Sequence, residues 1–183
     1  MAVTMRLNLQ PLKKFQRVVG VATSRAINKS SVSVRAVGSR ALSQDLALRV
    51  GDVRKELVLT RATAQTQEAR ISVRGRRLPL ILFGATGPQP SRGRGRGVSY
   101  RFGRGRKRIA SAFIATMRSG HKGVFRRILK ASLPIVELFG PSLAVAFTRR
   151  GVKKAMTDRY AEVMPKNLQH EILFELQRVA KRL

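Results

Sequence analysis

The sequence predicts an α+β fold, a central small antiparallel sheet with a long N-terminal helix region and C-terminal helices packed around it. Three observations carry this. Apolar residues recur at helical spacing at both ends of the chain, and the middle third alternates with period two between Gly-containing turns. A hydrophobic content of 43% over 183 residues supplies one compact domain with a core, not two full ones. The expected organisation is a single domain over 1–183 with a mobile Gly/Arg-rich basic loop at 85–108.

Leu12, Phe15, Val19, Ala22 and Ala26 follow one another at spacings of three and four, which predicts a helix over about 11–29 with Pro11 in its first turn. The Ser-, Ala- and Val-rich stretch to Leu48, with Gly38 inside it, reads as its continuation or as a second helix, and its small residues predict close helix packing. Asp52 is placed to cap a short helix ending near Leu59. Ile71 and Val73 alternate with Ser72 and Arg74, and the apolar run 78–83 is closed by Gly84; both read as strands joined by a turn at Gly75. Three further strands are expected, at 98–102, at 112–117 and, after a Gly120/Gly123 turn, at 123–129, giving a sheet of four to five strands. The apolar run 133–139 stops at Gly140 and turns through Pro141 into a helix that reaches about Met164. Pro165 then opens a last helix with Leu168, Ile172, Leu176 and Val179 on one face.

Charge is the strongest functional signal. The net charge is +29, and between Glu68 and Glu137 there are seventeen Arg and Lys and no carboxylate. Such a surplus repels itself at the separations found within one domain, and a bound anion relieves it, so a constitutive partner is expected. The partner is a polyanion or an acidic protein surface, contacted by Arg70, Arg74, Arg76, Arg77, Arg92, Arg94, Arg96, Arg101, Arg104, Arg106, Lys107 and Arg108. Glycines interleaved at 93–105 let the backbone approach a ligand, and Tyr100 and Phe102 offer rings that stack on bases. The plainer alternative is a solvated loop whose arginines only maintain solubility. The corner at 133–142 reads as a buried strand-to-helix turn that also offers Phe139 and Pro141 as a subunit contact.

Other classes are poorly supplied. There is no cysteine, hence no disulfide, thiolate metal site or cysteine nucleophile. No apolar run approaches a membrane span or a signal peptide core, so neither membrane insertion nor secretion is expected, and Asn28 of the Asn-Lys-Ser sequon is read as a polar helix position. The arginine loop fits neither the P-loop nor the dinucleotide glycine spacing. His121 and His170 stand apart, and Glu137 is expected to pair with an arginine. A Mg²⁺-dependent nuclease would have to assemble its carboxylates from Asp45, Asp52, Glu56 and Glu137, and nothing in their spacing supports that. No enzyme, cofactor or metal is expected.

The order of Ala26-Ile-Asn-Lys, Ala69-Arg-Ile-Ser-Val, Leu78-Pro-Leu-Ile, a basic loop, Ala112-Phe-Ile, Pro134-Ile-Val-Glu-Leu-Phe-Gly-Pro-Ser and a terminal Leu168-Gln-His-Glu resembles the prophage minor tail protein Z family of lambda-type long-tailed phages. The similarity runs from about residue 15 to 180, and this chain departs from the family in the glycines of its basic loop. The resemblance implies a structural tail completion or neck protein at the head–tail junction of the virion, present in the host cytoplasm during assembly. It implies a homo-oligomeric ring, formed or decorated, around the DNA channel, beside the tail terminator and the connector proteins and in contact with packaged double-stranded DNA. It implies no membrane partner, no catalytic residue and no cofactor. The competing reading is a freestanding nucleic-acid-binding protein of ribosomal type, which explains the charge equally well.

Overall fold

The structure, a computed structural model, describes residues 10–88, 97–103, 105–129 and 133–181, with side chains from Phe15 onward. The fold is α+β. In chain order it runs α1 (Gln10–Leu46), α2 (Val50–Glu56), β1 (Leu57–Thr60), β2 (Arg70–Val73), β3 (Arg77–Pro79), a 3-10 turn (Leu80–Phe83), β4 (Val98–Phe102), β5 (Gly105–Ile109), β6 (Ala112–Thr116), β7 (Lys122–Arg127), β8 (Ile135–Glu137), β9 (Phe139–Ser142), α3 (Leu143–Phe147) and α4 (Arg150–Ala180). The strands divide among one three-stranded sheet, β6-β7-β8, and three pairs, β1-β2, β3-β9 and β4-β5.

The chain forms two compact units. One comprises Met1–Arg35, Leu59–Ile71 and Thr157–Leu183; the other comprises Ala36–Val58 and Ser72–Met156.

In the first unit α1 and α4 run antiparallel, and their contact is polar. Arg25 pairs with Glu175 and Lys29 with Glu171, and both carboxylates are buried. Asn167 Nδ2 donates to Ser30 Oγ at 2.9 Å and Arg159 Nε to Ser33 Oγ at 2.8 Å. Ala22, Ala26, Ser30 and Ser31 are buried. Phe15, the aromatic member of the predicted stripe, is exposed. Asn28 grips the backbone of Ala62 from both sides: its Nδ2 donates to the carbonyl at 2.9 Å and its Oδ1 accepts from the amide at 2.8 Å. This satisfies a buried residue that belongs to no strand.

The second unit holds the larger core, with Leu42, Leu46, Val53, Leu57, Phe83, Val98, Val124 and Leu143 fully buried. Gly140 lies against Phe83: a Cβ there would sit 2.7 Å from the ring's Cζ, so any side chain at this position requires the ring to move. Ser142 caps α3, its hydroxyl accepting from the Ala144 amide at 3.1 Å.

Of the two readings of the stretch to Leu48 the first holds, α1 running unbroken to Leu46. Several other expectations change. Asp52 lies inside the first turn of α2, whose cap position is Arg49 without a side-chain bond, and the helix ends at Glu56 because Leu57 turns extended into β1. The apolar run 78–83 is a strand only to Pro79; beyond it the chain tightens into a 3-10 turn ended by Gly84 at φ 62°. The helix after the corner is short, with β9 itself carrying Pro141, and α4 passes through Pro165 without a break. In α4 beyond Pro165 the buried residues are Glu171 and Glu175; of the predicted stripe Leu168, Ile172 and Val179 are half-buried beside them, while Leu176 is exposed.

Candidate functional site

Within the basic third of the sequence, the β4–β5 hairpin of the second unit gathers several of the predicted contacts on one regular surface. Its antiparallel register sets Val98 opposite Ile109, Ser99 opposite Arg108, Tyr100 opposite Lys107, Arg101 opposite Arg106 and Phe102 opposite Gly105. Alternation of side chains therefore gives the ribbon two chemically distinct faces. One carries Val98, Tyr100, Phe102, Lys107 and Ile109; the other carries Ser99, Arg101, Arg106 and Arg108. Val98 is fully buried and anchors the first face, while Arg101, Arg106 and Arg108 are exposed.

The turn and the entry to this hairpin depend on glycine. Gly103 sits at φ 60° between the strands. Gly97, at φ 82°, starts β4 so close to Ala110 that a Cβ would lie 2.6 Å from its Cα. Residues 84–88 run beside β4, where Thr86 and Ser99 exchange two backbone hydrogen bonds of 2.8 Å. That contact brings the Thr86 hydroxyl to the arginine face. Arg106 donates from Nη2 to Thr86 Oγ1 at 2.7 Å and from Nε to Ser99 Oγ at 2.9 Å, so its guanidinium is held in place. On the other face the Lys107 ammonium lies 4.8 Å from the centre of the Phe102 ring, a cation–π contact that covers one of the rings proposed for base stacking.

The remaining predicted contacts are distributed elsewhere. Arg70, in the first unit, pairs with Glu68 at 3.3 Å. In the second unit Arg74 and Arg77 are exposed, whereas Arg76 is committed to the fold: its Nε reaches both oxygens of the buried Glu56, at 3.1 and 3.0 Å. Those hydrogen bonds, with the carboxylate's charge, raise the Arg76 pKa above its already high ordinary value. Arg92, Arg94, Arg96 and Arg104 lie outside the described residues. Of the loop read at 85–108, residues 98–102 and 105–108 belong instead to paired strands. Phe139 is half exposed at the rim of a hollow of about 380 Å³ whose lining includes Leu78, Pro79 and Leu82, and Pro141 is half-buried in β9. The sequence reading missed Thr86 and Ser99, whose hydroxyls position Arg106. Only the hairpin register reveals them.

The carboxylates are engaged one by one. Asp45 accepts from Arg149 at 2.7 and 2.6 Å, Asp52 lies 3.6 Å from Lys55, and Glu56 holds Arg76. Glu137 pairs with His121 at 2.9 Å, not with an arginine, because β8 sets it opposite Phe125, against whose ring His121 packs edge-on. Among the described residues no three metal-ligating side chains converge. No helix among them is long and apolar enough to cross a membrane.

A family model described as prophage minor tail protein Z (GPZ) matches residues 5–182, nearly the whole chain. No curated protein and no solved structure matches.

Proposed function

Because the chain belongs to the prophage minor tail protein Z family, we propose that this virion-associated minor tail protein acts at the head-proximal end of the tail, in tail completion and head–tail joining. It forms or decorates a ring around the DNA channel, beside the tail terminator and the connector proteins, and its role is structural, not catalytic. The supporting observation is the conjunction of family and charge: a tail protein with +29 net charge and a middle third free of carboxylates is suited to lie against packaged DNA or acidic neighbouring subunits. Phe139, half exposed at the rim of a hollow lined by both apolar and charged side chains, and Pro141 are the subunit contact of this reading.

The test is electron microscopy of intact particles and of particles lacking the protein, with a tag at its C-terminus. Label at the head–tail joint, with tails that form but fail to join heads when the protein is missing, is the expected result. Complete, joined virions without label would overturn the placement and favour a freestanding nucleic-acid binder.

A further inference from the structure

We propose that the β4–β5 hairpin is a two-stranded ribbon that docks on double-stranded nucleic acid through its phosphates, with Arg101, Arg106 and Arg108 as the contacts. This rests on the reading of the chain as a virion protein beside packaged DNA, and it assigns the contact to one folded surface.

The first argument is electrostatic. Like charges placed directly across an antiparallel pair destabilise it, and the register sets Arg101 against Arg106. Among the described residues no carboxylate is within ion-pair distance of either. An anion seated between the two guanidiniums converts that repulsion into a bridge of charge-assisted hydrogen bonds.

The second argument is preorganisation. A guanidinium has five N–H donors, and Arg106 gives two of them to the hydroxyls of Ser99 and Thr86. It is thereby fixed with donors to spare, which lowers the entropy lost on binding.

Shape and composition choose the partner. Five residues per strand give a face about 17 Å long, flanked at Ser99 by the Thr86 segment, and that length spans about five phosphates along one strand of a duplex at about 3.4 Å each. The exposed face carries Ser99 and three arginines and no apolar side chain, so it offers a protein partner nothing to bury at an interface centre. Nucleic-acid interfaces are the polar, strongly cationic kind. With the three arginines assigned to phosphates, the contact positions the duplex without reading its sequence.

The experiment measures binding of the full chain to two short duplexes of unrelated sequence between about 50 and 200 mM salt, for wild type, R101S/R106S/R108S and R101K/R106K/R108K. Thermal melts check that each variant is folded. The expected result is equal affinity for the two duplexes and a slope of log K against log salt shallower by about 2.7 in the Ser variant, from about 0.9 per lost phosphate contact. The Lys variant keeps the wild-type slope, so it tests the same contact should the Ser variant fail to fold. An unchanged slope in a folded Ser variant, or a Lys variant whose slope falls, overturns the proposal. So does loss of binding to polyglutamate with duplex binding intact, which would make the face a protein contact. Tag label at the tail with an unchanged slope sinks the ribbon and leaves the tail placement standing; the expected slope change in a protein absent from the tail does the reverse.

Discussion

Single atoms decide several features that the sequence only hints at. Gly140 appears in the sequence as a turn residue before proline, but its role is to let β9 pass against the fully buried Phe83. Gly140→Ala is expected to lower stability by about 1–3 kcal/mol by forcing that ring out of its packed position. For a domain of this size the melting temperature should fall by about 2–4 °C per kcal/mol. A melt unchanged from wild type would show that the ring moves aside freely. Arg76 makes the complementary point. Its place in a basic run marked it as a ligand contact, yet it serves the buried Glu56, and only the three-dimensional position of that carboxylate reveals it. Its raised pKa contributes stability present below the unfolded value and lost only as pH rises through the still higher folded one, so this group gives no pH dependence in the neutral range.

At the scale of elements, legibility followed periodicity. Strands β2, β4, β6 and β7 were readable because apolar and polar residues alternate within them or because glycines bracket an apolar run. Strand β5, Gly105-Arg-Lys-Arg-Ile109, carries almost no apolar signal; it is a strand because β4 supplies its hydrogen-bond partners, so half of the candidate site was visible only as charge. Proline misled in the opposite sense. Pro165 reads as a helix start, but α4 is continuous through it, with the Asn167, Glu171 and Glu175 contacts following within the same helix. The ring leaves the carbonyl one turn earlier without its usual donor. Pro165→Ala is therefore expected to raise stability by about 1–3 kcal/mol, read as a higher denaturant midpoint at unchanged slope. A lower midpoint would mean that the proline shapes the polar contact between α1 and α4.

Over the whole molecule the decisive asymmetry is between 38 basic and 9 acidic residues. Asp45, Asp52, Glu56, Glu68, Glu137, Glu162, Glu171 and Glu175 each already hold a cationic or imidazole side chain within the fold. Eight of the chain's nine carboxylates are thus engaged internally, and further neutralisation has to come from outside. Salt supplies part of it by screening, over a Debye length of about 8 Å at physiological ionic strength. A polyanion supplies more, because it binds the folded surface and shifts the unfolding equilibrium by mass action. With duplex at about a hundred times its dissociation constant the gain is about 2.7 kcal/mol, which for this size corresponds to a rise of about 5–10 °C in melting temperature. Sodium chloride at matched ionic strength should raise it less, and R101S/R106S/R108S should lose most of the difference between the two. Equal shifts with duplex and with salt would mean that the charge acts only as a diffuse field; a shift specific to duplex that survives in the triple variant would move the contact away from the hairpin.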